Sequence, residues 1–187
     1  MLGIWNIWIF FIPGFGIIQL AAMWANRKRG DPIEDPEAYE AHGKKLHAVS
    51  LVWLAALVLI CLFTPLNSGA VFWTGLPLWM FGIIVNLVAI HSFAHSTAEV
   101  NTTGIYRYSR NPMYVGMFFL LLGISVMGWS TSVWSIALLG FTIVSLPYLH
   151  WTVLFEEAFL TRKYGDSYRE YMNRTGRYVP LPRKLNT

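Results

Sequence analysis

Apolar residues gather into five runs, at 2–25, 46–63, 76–94, 112–129 and 133–155. The first carries no charge and can cross a bilayer as a helix, since about 20 residues rising 1.5 Å each span roughly 30 Å. It lacks the basic leading region of a signal peptide and is longer than a signal core, and Arg27-Lys28-Arg29 follow it. It is therefore expected to remain as a transmembrane helix, loosened by Pro13, Gly14 and Gly16. Residues 26–46 form a mixed-charge loop punctuated by Asp31-Pro32 and Asp35-Pro36, where Pro36 can start a short surface helix. Pro65 ends the second run. Asn111-Pro112 opens the fourth, because Pro at a first helical position forfeits no hydrogen bond. That run spans about 25 Å, and Gly116, Gly123 and Gly128 allow a close helix neighbour. Pro147 interrupts the fifth run. Only Ser130-Thr131-Ser132 and their neighbours separate runs four and five, so a helical hairpin is expected, followed by a polar, aromatic, part-helical tail from Glu156. The pattern predicts an all-α polytopic membrane protein of five transmembrane helices and one domain, residues 1–187.

Composition and charge sharpen this. Of 187 residues, 55% are hydrophobic and only 13% charged, against roughly a quarter charged in a soluble domain. The mean hydropathy of +0.45 agrees. With five spans, all fourteen Lys and Arg fall on one side of the membrane. The positive-inside rule then places the N-terminus outside and the C-terminal tail in the cytoplasm, and it accounts for the pI near 9.3 without nucleic acid. Asn101-Thr102-Thr103 and Asn173-Arg174-Thr175 match a glycosylation pattern but lie on the cytoplasmic side, so they are discounted. Cys61 has no cysteine to pair with. His91 and His95 share a helix face, yet no third ligand is evident and no metal is expected. Asn86 is expected to hydrogen-bond between helices, and Trp5, Trp8, Trp53, Trp73, Trp79, Trp129, Trp134 and Trp151 to populate interface belts.

Two polar clusters break the apolar pattern. One runs from Gly104 through Ile-Tyr-Arg-Tyr-Ser-Arg-Asn-Pro-Met to Tyr114; the other holds Glu156-Glu157, then Tyr164-Gly165-Asp166-Ser167-Tyr168. In this order, with Gly176-Arg177-Tyr178-Val179-Pro180 behind them, they resemble the isoprenylcysteine carboxyl methyltransferase family, whose relatives include membrane phospholipid methyltransferases. The resemblance covers about residues 104–180. It implies S-adenosylmethionine as cofactor, a methyltransferase half at 101–187, and a transmembrane scaffold and acceptor side at 1–100. It also implies that Gly104, Tyr106, Asn111, Tyr114 and Glu157 line the cofactor pocket.

The residue chemistry suits such a cofactor. Glu156 or Glu157 can pair with its ammonium. Arg110, Asn111 and the helix start at Pro112 can hold its carboxylate, because helix N-termini favour anions. Tyr106, Tyr108 and Tyr114 can pack on its adenine or near its sulfonium. Methyl transfer needs alignment rather than a covalent nucleophile. A carboxylate acceptor calls for an arginine fork, Arg110 or Arg177; an amine acceptor calls for a base such as Glu156. The family often has His where this chain has Asn111, which cannot shuttle a proton. Tyr164, Tyr168 and Tyr171 read as packing aromatics, and Gly165 as a turn. The implied acceptor is the carboxylate of a prenylated cysteine, with a phospholipid amine or a small lipophilic thiol or acid as alternatives. A non-catalytic membrane scaffold and a nicotinamide-dependent membrane reductase are the readings of other classes.

Overall fold

The computed structural model describes residues 6–29 and 44–180. The surface helix expected from Pro36 and the belt residue Trp5 lie outside them. The described chain is all-helical: α1 (Trp8–Arg29), α2 (Lys44–Phe63), α3 (Ala70–Ala94), a 3₁₀ turn (Gly104–Arg107), α4 (Pro112–Met127) and α5 (Val133–Arg174). No strand is present among the described residues beyond an isolated bridge between Asn6 and Pro65. α1, α3 and α5 are long and apolar enough to cross a membrane; His47–Phe63 and Pro112–Met127 are shorter apolar helices.

Small residues fix how α3 and α4 meet. A Cβ on Gly82 would sit 2.5 Å from Leu120 N, and one on Gly123 would sit 2.4 Å from Trp79 N. The two backbones therefore touch antiparallel, as lipid-embedded helices do where side chains are absent. Asn86 sits in this seam and donates to Gly82 O of its own helix at 2.9 Å, so the interhelix bond expected of it is replaced by an intrahelical one. α2 runs antiparallel to α5 through polar pairs: Trp53 Nε1 donates to Ser145 Oγ at 2.8 Å, and Ser50 Oγ meets Tyr148 Oη at 2.8 Å. The α4–α5 hairpin is joined by Ser125 and Thr142 at 2.7 Å and by Ser135 Oγ donating to Gly128 O at 2.6 Å. α1 lies along α3, with Phe10 edge-on to Trp79 at one end and Arg29 over the Phe93 ring at the other.

Three further expectations change. α3 begins at Ala70 rather than residue 76, because the uncharged stretch from Gly69 onward continues the helix. α5 does not end at Glu156-Glu157; it passes Pro147 and continues to Arg174, kinked at Gly165, where φ is +55°. Trp53 and Trp79 are packing residues rather than belt residues: Trp79 faces Gly14 and Gly123. Trp73, Trp129 and Trp151 are exposed, as belts require.

Candidate active site

The two polar clusters meet at one end of the bundle. Pro112 at the first turn of α4 puts Asn111 at the N-cap, and the chain before it runs back through the 3₁₀ turn. Gly104 makes that turn possible. Its φ is +57°, and a Cβ there would fall 2.4 Å from Ser92 Oγ, so both backbone and space require glycine. Past the Gly165 kink, α5 carries Tyr168 and Tyr171 into buried positions, and Tyr171 Oη donates to Tyr106 O at 2.7 Å. The segment after α5 then pairs with the start of α4: Arg110 N donates to Gly176 O at 2.9 Å and Asn111 N to Arg177 O at 3.2 Å.

Glu157 is the hub. Its Oε1 accepts from Arg110 Nε at 3.1 Å and Asn111 Nδ2 at 3.0 Å, with Arg110 Nη2 at 3.0 Å. Its Oε2 accepts from Arg177 Nε at 3.0 Å and Nη2 at 2.8 Å. Arg110 Nη1 donates onward to Met172 O and Thr175 O at 2.7 and 2.9 Å. Burial alone would push the Glu157 carboxyl up, but the hydrogen bonds from Arg177 and Asn111 and the charges of Arg110 and Arg177 overcome it and hold it below the usual carboxylate range. The same contact raises the Arg177 guanidinium. Burial, joined by nearby carboxylates, raises the Tyr106 and Tyr168 phenols, so both remain neutral hydroxyls.

Beside this hub lies a cavity of about 580 Å³. Tyr106, Arg110, Asn111, Pro112, Tyr114 and Glu156 line it, all singled out from the sequence. Glu156 is oriented there by Tyr114, whose Oη donates to its Oε1 at 2.5 Å. Four other singled-out residues are not in the wall, among them Tyr108, which is exposed. Gly104 shapes the turn, and Glu157 and Arg177 bind each other behind it. The wall also includes Tyr164, Tyr168 and Tyr171, read from sequence as packing aromatics, and Arg29, Glu99, Asn101 and Lys163, to which the sequence reading gave no part in the site. The first three had a signal, since Tyr at 164, 168 and 171 repeats at helical spacing after Glu156 and Leu160. Arg29 comes from α1 and is held to the other wall by hydrogen bonds to Phe93 O and Ala98 O. Among the described residues no three His, Cys, Asp or Glu converge as metal ligands. His95 Nδ1 bonds His91 O at 2.9 Å, and its Nε2 faces Lys28.

The family model for phospholipid methyltransferases matches residues 70–167, which spans α3, the 3₁₀ turn, α4 and most of α5. The chain belongs to the phospholipid methyltransferase family. Among similar proteins is the protein-S-isoprenylcysteine O-methyltransferase of Schizosaccharomyces pombe, 29% identical over 139 residues, covering 71% of this chain and 51% of that one. This chain thus spans about half the length of that relative. The enzyme of the same name from Dictyostelium discoideum is 25% identical, covering 90% of this chain and 78% of its own. A methanethiol S-methyltransferase of Crocosphaera subtropica is 25% identical over 102 residues, covering 54% of this chain and 37% of that protein. No solved structure is significantly similar.

Proposed function

We propose that this membrane protein transfers a methyl group from S-adenosylmethionine to a lipophilic acceptor at the cytoplasmic face, with the N-terminus outside and five spans. The observation that carries this is the cavity itself. Its volume lies within the roughly 300–1,000 Å³ of small-molecule sites. Its wall combines five tyrosines with carboxylates and cations, which suits a ligand bearing an aromatic base, an ammonium and a carboxylate. When bound, that cofactor supplies an electrophilic methyl group on a sulfonium. Glu156, held by Tyr114, offers a carboxylate to the ammonium. Arg110 and the start of α4 at Asn111 and Pro112 favour the anionic end. The buried tyrosines pack on the base and exclude water.

The acceptor we favour is a carboxylate, with the prenylated cysteine implied by the relatives as prototype. A carboxylate is already ionised at neutral pH and needs no base. No histidine lines the cavity among the described residues, and Asn111 cannot take a proton. Arg177 is the candidate holder. Its Nε and Nη2 face Glu157, its side chain is 37% exposed, and its Nη1 is left for an oxygen from outside. The likeness to a thiol methyltransferase keeps a small lipophilic thiol as the second reading.

The test is isothermal titration of the purified chain in detergent with S-adenosylhomocysteine, the spent cofactor, beside Glu156→Gln. Micromolar binding weakened in the variant is expected. Folded protein that binds none, in detergent and in lipid nanodiscs alike, sinks the proposal. Labelled methyl donor with a prenylated cysteine, a lipophilic thiol and phosphatidylethanolamine then separates the acceptors, and label on the first alone is expected.

A further inference from the structure

A second cavity, of about 540 Å³, opens beside the ends of α1 and α3 and shares only Arg29 and Glu99 with the first. Lys28, His95 and Thr97 also line it, and all three are exposed, so a ligand can reach them. His95 positions Lys28. A carbonyl only accepts, so in the 2.9 Å contact with His91 O the hydrogen is on His95 Nδ1, and Nε2 is left to accept from Lys28. The ammonium also lies 5.3 Å from the centre of the Trp24 ring. An ammonium has three N–H groups, so Lys28 keeps hydrogens for a further acceptor. Arg29 adds its charge, its guanidinium held to Phe93 O and Ala98 O. Against these two cations the wall sets one carboxylate, Glu99, which leaves one positive charge in excess. The carbonyls of His91 and Phe93 at the end of α3 are taken by His95 N, Ser96 N and Arg29, which blunts the negative end of that helix.

Two apolar stripes lead away from this cavity along membrane-crossing helices. On α1, Trp24, Leu20 and Ile17 lie four, eight and eleven residues before Lys28, which is one helix face, and all are exposed. On α3, Val88 and Ile84 lie seven and eleven residues before His95 and are exposed too. The two helices run parallel, since Phe10 meets Trp79 and Arg29 meets Phe93. The Trp24 and His95 rings, 6.0 Å apart, and the contact of Lys28 with His95 bring the stripes side by side. A free phosphate would use only the basic pocket, whereas a phospholipid uses the pocket and the stripes. We infer that this cavity binds the headgroup of an anionic glycerophospholipid, its phosphodiester on Lys28 and Thr97 beside the charge of Arg29, its acyl chains along the two stripes. A phosphodiester carries the single negative charge that balances the wall. This rests on the chain crossing a membrane and not on the cofactor. The lipid is a bound neighbour rather than a methyl acceptor, because a phosphatidylglycerol headgroup has no amine, thiol or carboxylate.

The experiment measures binding of acyl-labelled dioleoyl phosphatidylglycerol to the purified chain in a neutral detergent. The competitors are unlabelled phosphatidylglycerol, phosphatidylcholine of the same chains, and glycerol phosphate, which has no acyl chain. Phosphatidylcholine is expected to compete at least about fivefold more weakly than phosphatidylglycerol, the worth of one basic group facing an anionic headgroup. Glycerol phosphate is expected not to compete. Lys28→Gln keeps a donor for His95 and removes the charge, and it is expected to weaken phosphatidylglycerol by about fivefold. Arg162→Gln, which removes an exposed charge from α5, is expected to leave the affinity unchanged. Equal affinity for the two lipids overturns the charge argument and with it the site. Equal weakening in the two variants means adsorption by overall charge and overturns it as well. Glycerol phosphate that displaces the lipid makes the pocket a free-phosphate site and overturns the lipid assignment. Lipid displaced by S-adenosylhomocysteine lies in the first cavity, which overturns the second as its site. The lipid comparison uses wild-type protein, so it decides even should Lys28→Gln fail to fold.

Discussion

Glu156 and Glu157 are neighbours in α5 and serve different partners: Tyr114 donates to Glu156, while Arg110, Asn111 and Arg177 all converge on Glu157. One residue on a helix is rotated about 100° from the next. Glu156 therefore reaches the cavity while Glu157 is consumed by the protein. The carboxylate between two arginines joins three segments that are far apart in sequence: the approach to α4, the middle of α5 and the segment after α5.

Removing that carboxylate leaves a buried cation. The Arg110 side chain is 9% exposed, and its other hydrogen bonds go to the backbone carbonyls of Met172 and Thr175. Glu157→Ala is expected to cost about 3–5 kcal/mol, the range for breaking one side of a buried pair. Thermal unfolding in detergent measures it. Glu157→Gln retains an oxygen for Asn111 and should lose less. A melting temperature unchanged in Glu157→Ala would remove Glu157 as the hub.

The same group sets a pH dependence. The folded Glu157 carboxyl titrates below its ordinary value of 4.5, so the unfolded chain binds the proton more readily. Its contribution is complete above pH 4.5 and is lost as pH falls through the folded value. The stability difference between wild type and Glu157→Gln is expected to stay flat from neutral pH towards 4.5 and to shrink below it. A difference that grows on acidification would contradict the depressed value.

Much of this site was legible, and the reasons differ by residue. Asn111-Pro112 is a helix start whatever the fold, and α4 begins there. The glycines of α4 marked a close contact, and they make one with α3. Which of Glu156 and Glu157 faces a ligand depends on the rotation of α5, which its neighbours fix and local sequence does not. Asn101 was read only as part of a glycosylation pattern for a similar reason, because its place in the cavity wall depends on how the helices pack. Trp79 was misjudged since it stood near the start of the apolar run read from sequence, where an interface is expected, whereas α3 begins at Ala70 and puts it in a glycine-lined seam.

The α3–α4 seam predicts a contrast between glycines. A Cβ at Gly123 would meet the Trp79 backbone at 2.4 Å, and backbone cannot yield as a side-chain tip can. Gly123→Ala is expected to destabilise by about 1–3 kcal/mol, the usual cost of overpacking. Gly140 has nothing within 4 Å of its would-be Cβ, so Gly140→Ala in α5 should be neutral or slightly stabilising. Melting curves of the two variants side by side decide it, and equal losses would mean that the seam is not tightly packed.

Arg177 separates cofactor binding from turnover. Its backbone carbonyl, not its side chain, accepts from Asn111 and Ser109, so Arg177→Ala keeps that pairing. Glu157 retains Arg110 and Asn111, and the guanidinium that is lost was 37% exposed, so the stability cost should stay near 1 kcal/mol. The side chain does not line the cavity, so affinity for S-adenosylhomocysteine should change by less than about threefold. Loss of a fork that holds the acceptor carboxylate removes alignment at the reacting centre, and kcat is expected to fall by about a hundredfold. Arg177→Lys should recover little, because an ammonium cannot serve Glu157 side-on and offer an outer edge at once. Methyl transfer from labelled donor to a prenylated cysteine, measured beside cofactor titration, gives the two numbers. A turnover unchanged in Arg177→Ala would leave Arg177 as a strut for Glu157 alone and remove it as the holder of the acceptor carboxylate.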